Sequence, residues 1–223
     1  MEAPGQRLNI YFISGLAADR SVFKHLQLTP FCSAIYLDWI EPEKAETLAA
    51  YALRLAEKID TSKPFALVGL SFGGMLATEI ALRLKPVFLI LISSIPRVQQ
   101  LPHYFKLAAV LRLHKLVPIR FIQQAALLKR FFTIETAADK TLLRAMIRKS
   151  DVYFIRWAMH AVLTWKNTLV PENLIHIHGT RDEVLPVRFT KPTHIIPKGG
   201  HLMVMTRPEE INKILQEVLS KQR

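Results

Sequence analysis

The sequence of 223 residues predicts an α/β protein, with a mostly parallel central sheet of about six strands, flanking helices and one inserted helical unit. Three observations lead there. Short apolar runs alternate with amphipathic stretches along most of the chain, which is the pattern of strands joined by crossover helices. One run, Phe65-Ala66-Leu67-Val68, passes without a break into Gly69-Leu70-Ser71-Phe72-Gly73-Gly74 and then into a helical pattern. After Ile92, about eighty residues contain no convincing strand, so a helical unit interrupts the alternation there.

In chain order, strands are expected at Leu8–Ile13, Ala34–Leu37, Phe65–Val68, Val87–Ile92, Leu174–His178 and Thr193–Ile196. Helices are expected at Glu43–Ile59, Met75–Leu84 and Pro208–Ser220. The first opens with acids and ends near Lys58, as the helix dipole favours. In the second, Met75, Leu76, Ile80 and Leu84 share a face. The last opens Arg-Pro-Glu-Glu, with proline suited to a first helical turn. The interruption reads as four helices, His103–Leu116, Ile119–Arg130, Thr136–Lys149 and Val152–Trp165, with breaks at Pro118 and Phe131-Phe132-Thr133. Residues 1–96 and 167–223 would then form the core, and residues 97–166 a cap. A helical layer inserted after a central strand would roof a site built on the carboxyl ends of the strands.

Composition narrows the class. Hydrophobic residues make up 50% of the chain and charged residues 22%, as in globular proteins. No apolar run approaches the roughly 20 residues that span a bilayer. Residues 1–7 lack the basic start and apolar stretch of a secretion signal, and the single Cys32 suits a reducing compartment, so a cytoplasmic location is expected. The net charge of +12 is uneven, because residues 97–166 hold thirteen Lys and Arg against three acids. Such a cap is either a solvated surface or an attractor of anions: a substrate carboxylate, a phosphate-bearing carrier or, weakly, an acidic membrane surface. No nucleic-acid motif accompanies the charge, and no nucleic-acid partner is expected. Neither GxxxxGK[ST] nor GxGxxG occurs, so no nucleotide loop is read. His176-x-His178 has the spacing of a metal pair, but strand alternation alone produces it and no cysteine or carboxylate cluster completes a set. No metal or cofactor is expected. Trp39, Trp157 and Trp165 read as packing residues, the last two near one helical face.

The residues most suggestive of chemistry surround Ser71. G-x-S-x-G between a buried strand and a helix lifts the serine hydroxyl clear of the sheet, a position suited to a nucleophile. Side chains at positions 69 and 73 would crowd the turn and the packed helix. A serine hydroxyl needs a base within hydrogen-bond reach, and the base needs an orienting acid. His201 is the candidate base, since Lys198-Gly199-Gly200-His201 lies between the last strand and the last helix. Asp182 is the candidate acid, following a strand and a glycine turn in His178-Gly179-Thr180-Arg181-Asp182-Glu183, with Glu183 as its rival. No acid directly follows the strand ending at Ile92, where Ser93, Ser94 and Ile95 stand. Donors for a developing oxyanion would be the backbone N–H groups of Phe72 and, after Gly15, of Leu16.

Gly15-Leu16, Gly69-Leu70-Ser71-Phe72-Gly73-Gly74, His178-Gly179-Thr180-Arg181-Asp182 and Gly199-Gly200-His201 together resemble the α/β-hydrolase superfamily. The likeness covers nearly the whole chain and places the insertion where that superfamily carries its lid. It implies a hydrolase that works through an acyl-enzyme on an ester, thioester or amide, without a cofactor. Carboxylic ester or thioester with a small to medium apolar acyl part is the first expectation, given Leu16, Phe72 and the Leu- and Phe-rich cap. The superfamily uses the same triad for carbon–carbon bond hydrolysis and lyase chemistry. A non-catalytic acyl-ligand binder whose basic cap docks a membrane or partner is the reading from another class. Two departures stand out. The chain begins almost at the strand bearing the oxyanion loop, so a reduced sheet is expected, and that loop reads Ser14-Gly15-Leu16 rather than a histidine-glycine start.

Overall fold

Every apolar run read as a strand enters one sheet in the computed structural model, which describes residues 7–105 and 136–221. The strands are β1 (Leu8–Ile13), β2 (Cys32–Tyr36), β3 (Phe65–Leu70), β4 (Leu89–Ile92), β5 (Leu174–Gly179) and β6 (His194–Ile196). They lie in the order β2-β1-β3-β4-β5-β6, and every neighbouring pair is parallel. Strands β3 and β5 run further than their apolar residues suggest. Gly69 pairs with Leu91 and Gly179 with Ile196, because a glycine without an apolar side chain still fills its place in the backbone ladder. The sheet therefore reaches up to the two turns that carry Ser71 and Asp182.

Alternation along the strands separates two apolar layers. Ile10, Phe12, Val68 and Ile90 face one side. There they meet Ile211, Leu215 and Leu219 of the C-terminal helix (Pro208–Ser220), which has Pro208 in its first turn, as expected from the sequence. Tyr11, Ile13, Leu67 and Leu91 face the other side, toward α1 (Leu48–Ala56) and α2 (Phe72–Leu84).

Helix α1 is shorter than Glu43–Ile59. Thr47 caps it by accepting from the Ala50 N–H, and Ala45 just before has φ of 58°, so the acids before Leu48 lie outside the helix. They act as side-chain partners instead of dipole charges. Glu46 takes two 2.8 Å hydrogen bonds from Arg54, and this contact chiefly lowers its pKa. Helix α2 starts three residues earlier than Met75, so Gly73 and Gly74 are helical.

Between β4 and β5, α3 (Ala137–Lys149) and α4 (Val152–Thr164) form where two of the four helices are expected. Thr136 and Asp151 cap them through their side chains. The stretch expected at His103–Leu116 is helical over 103–105, and its remainder lies outside the described residues, as does Ile119–Arg130. Trp157 and Trp165 both serve as anchors to the core. Trp157 Nε1 donates to the Glu46 carbonyl at 2.9 Å and Trp165 Nε1 to Glu79 Oε1 at 2.7 Å. Among the described residues, no helix is long and apolar enough to cross a membrane.

Candidate active site

Ser71 stands between β3 and α2 at φ 50°, ψ −117°, a strained conformation for a residue with a Cβ. Surrounding contacts impose it. The Ser71 N–H donates to the Ile92 carbonyl at 3.0 Å, and the Ser94 hydroxyl donates to the Ser71 carbonyl at 2.6 Å. Close packing leaves no room for side chains nearby. A Cβ on Gly69 would sit 2.5 Å from Gly74 Cα, and one on Gly73 would strike the carbonyl oxygens of Ser14 and Ile13. Gly74, which the motif does not require, lies against the Ser94 side chain. This packing draws the end of β1 to the start of α2.

The loop after β1 therefore passes the serine. A Cβ on Gly15 would lie 3.5 Å from Ser71 Cβ, an ordinary contact. Ala17, at φ 60°, turns the loop, and the Ala18 carbonyl receives the Ser14 hydroxyl and Trp39 Nε1. Leu16 of this loop packs on the apolar cluster that includes Phe72, the first residue of α2. Neither the Leu16 nor the Phe72 backbone N–H donates to another backbone group among the described residues. The first turn of a helix is also where N–H groups lack helical acceptors and can receive negative charge.

Asp182 and His201 meet Ser71 from two loops that lock to each other. The Arg181 N–H donates to the Gly199 carbonyl at 2.8 Å, and the Lys198 N–H to Thr180 Oγ1 at 2.8 Å. A Cβ on Gly179 would collide with the Gly199 carbonyl, so the loops approach at a glycine. The backbone bend near His201 falls on Lys198, at φ 60°, while none of the described glycines has positive φ. Gly199 thus serves close approach, and a short helix (Met203–Thr206) follows.

The resulting distances describe a continuous chain. His201 Nε2 is 2.9 Å from Ser71 Oγ, and His201 Nδ1 is 3.0 and 2.9 Å from the two Asp182 oxygens. An ionised carboxylate only accepts, so Nδ1 carries the hydrogen and Nε2 offers its lone pair to the serine hydroxyl. Asp182 is buried, whereas its rival Glu183 is exposed. Asp182 Oδ1 also accepts from the Val184 and Leu185 N–H groups at 2.9 and 2.8 Å. Burial alone would raise the Asp182 pKa, but His201, followed by His178, outweighs it and holds the carboxyl well below its usual range.

Two participants escaped the sequence reading. His178 Nε2 lies 3.3 Å from Asp182 Oδ2, and its Nδ1 lies 3.1 Å from His176 Nε2. The spacing of residues 176 and 178 reads in sequence as strand alternation, with nothing to mark a role for either ring. No group of three or more His, Cys, Asp or Glu able to hold a metal occurs among the described residues. Ser94 was the other, and its place directly after β4, next to the serine turn, is the signal that marks it.

A sequence match to the alpha/beta hydrolase family spans residues 10–214. The chain belongs to this family. A comparison with curated proteins gives no match. Solved structures with the same fold include a thermophilic esterase from Thermogutta terrifontis, at 20% identity and TM-score 0.68, with 97% of this chain and 91% of that one covered. MenH from S. aureus aligns at 15% identity and TM-score 0.69, covering 97% and 94%. A lipase-esterase related protein from Clostridium acetobutylicum aligns at 15% identity and TM-score 0.66, covering 96% of each chain. At these identities the likeness is one of fold. Among the described residues the sheet has six strands, all parallel.

Proposed function

We propose that this α/β-hydrolase is a serine hydrolase acting on carboxylic esters or thioesters with an apolar acyl part. The observation that carries the reading is the unbroken contact from Ser71 Oγ through His201 to Asp182, at 2.9 to 3.0 Å throughout. His201 takes the serine proton as Oγ attacks the carbonyl carbon, and Asp182 stabilises the imidazolium that forms. The Leu16 and Phe72 N–H groups receive the oxyanion. As the tetrahedral intermediate collapses, His201 returns the proton to the leaving alcohol or thiol. A water molecule, activated by the same imidazole, then releases the acid and frees Ser71.

A cavity of about 550 Å³ is the candidate acyl site, with a mixed lining that also carries Asp19, Glu41, Lys149 and Asp151. It adjoins the oxyanion loop at Ala17 and is lined in part by Trp39, Met146 and Phe154. Trp39 and Phe154 also pack on Phe72, at ring-centre distances of 5.8 and 6.3 Å. The triad side chains are not part of its lining, so the cavity would take the far end of a substrate whose carbonyl reaches Ser71. The test is a fluorophosphonate probe read by intact mass, with Ser71→Ala and His201→Ala proteins alongside. One adduct on the wild type, absent from both variants, followed by turnover of acyl esters or thioesters, is the expected result. A folded wild type that takes no adduct would overturn the reading and favour a binding protein.

A further inference from the structure

Behind Asp182 lie two histidines that this mechanism does not use. His176 and His178 point to the same face of β5, and both are 0% exposed. His178 Nε2 is 2.7 Å from the Leu185 carbonyl and 3.3 Å from Asp182 Oδ2. Both neighbours are acceptors, so Nε2 must carry a hydrogen. If Nδ1 also carried one, His178 would be a buried cation against Asp182, offsetting the negative charge that His201 requires. A neutral His178 instead accepts at Nδ1 from His176 Nε2–H, which satisfies both His178 nitrogens and buries no further charge, while His176 Nδ1 has no hydrogen-bond partner among the described residues. His176 suits that role, because burial pushes its pKa down to about 4 and keeps it neutral.

The contact acts on the acid and on its loop together. Leu185 donates its N–H to Asp182 Oδ1 and accepts the His178 N–H at its carbonyl. His178 therefore ties β5 to the loop that orients the carboxylate, and its Nε2–H, bonded to the Leu185 carbonyl, stands 3.3 Å from Oδ2, opposite the two amides on Oδ1. We infer that His178, held in its Nε2–H form by His176, is the positioning residue for Asp182 and sets the carboxylate plane that His201 meets. The inference rests on the hydrolase reading of Ser71, His201 and Asp182.

Two substitutions test it. His178→Phe keeps a buried ring but removes the donor, whereas His178→Gln returns an N–H near the place of Nε2. Loss of carboxylate orientation should lower kcat about ten- to a hundredfold in the Phe protein while KM stays within about twofold, and Gln should recover most of that loss. NMR of ¹⁵N-histidine-labelled protein gives a readout independent of turnover. His178 should show a protonated Nε2 and a bare Nδ1, and the His201 Nδ1–H resonance should move in the Phe protein and return with Gln. Wild-type kcat in the Phe protein, equal losses in Phe and Gln, or a hydrogen on His178 Nδ1 would each overturn the inference. Should the Phe protein not fold, the wild-type spectrum decides the tautomer and the Gln protein the activity. A wild type that takes no fluorophosphonate would instead overturn the hydrolase reading, while the spectrum would still report on His178.

Discussion

His201 Nε2 lies 2.9 Å from Ser71 Oγ across 130 residues of sequence. The two loops that meet there leave the sheet from β3 and β6, which are not neighbours, and β4 and β5 lie between them. Only the common parallel direction of the strands brings both loops to one edge. Ser71→Ala and His201→Ala should each reduce kcat/KM on an activated ester by about 10⁴-fold or more. Melting temperature should change little in Ser71→Ala, whereas His201→Ala removes a buried ring and the main partner of Asp182 and should lower it by a few degrees, about the effect of a 1 kcal/mol loss. Loss of activity accompanied by unfolding would instead mark these residues as structural.

The turn at Ser71 predicts two glycine substitutions of different character. Gly73→Ala drives a methyl into the backbone carbonyls of Ser14 and Ile13, which no side-chain change can clear. It should cost about 3 kcal/mol in urea unfolding, and no second substitution at Ser94 should restore it. Gly74→Ala meets the Ser94 side chain. Its cost should fall by at least about 1 kcal/mol in a Ser94→Gly background, although Ser94→Gly alone loses the hydrogen bond to the Ser71 carbonyl. A double-mutant cycle reads the difference directly, and additive costs would argue against the contact.

Trp157 fastens α4 to the approach to α1. Its ring stacks near Tyr51, with centres 4.3 Å apart, and its Nε1–H reaches the Glu46 carbonyl. Trp157→Phe keeps most of the apolar area but leaves that carbonyl without its donor. The expected loss is about 1 to 2 kcal/mol by denaturant titration, with Trp157→Ala costing more because a cavity adds to it.

Asp182 makes stability depend on acid in a defined direction. Its pKa in the folded protein lies below the ordinary 3.8, so its ionised form favours the folded state. That contribution is complete above the unfolded value and is lost as pH falls through the folded one. Against Asp182→Asn, the stability advantage of the wild type should be flat from about pH 7 to 5 and shrink below about pH 4. Urea unfolding at several pH values checks it. A difference that stays constant down to about pH 2 would contradict the sign.

What the sequence by itself determined is what local backbone chemistry leaves behind. The strand, sharp turn and helix around Ser71 imprint glycines at fixed offsets, and the loops bearing Asp182 and His201 each adjoin a glycine at the end of a strand. The four inner strands were legible because burial on both faces demands apolar runs, while the edge strands β2 and β6 are partly exposed and were legible from their apolar content alone. Tertiary structure alone decided matters of contact. The acids before Leu48 look like helix-opening charges in one dimension, yet Glu46 holds Arg54, because Thr47 caps the helix after them. Strand ends at Gly69 and Gly179 depend on a partner across the ladder, which no local pattern records. His178 reads as one of a metal-spaced pair until the chain folds the next loop back over it. Its place as a donor to the Leu185 carbonyl beside Asp182 comes from acceptors that approach after a turn, and side-chain chemistry alone cannot anticipate which acceptor arrives.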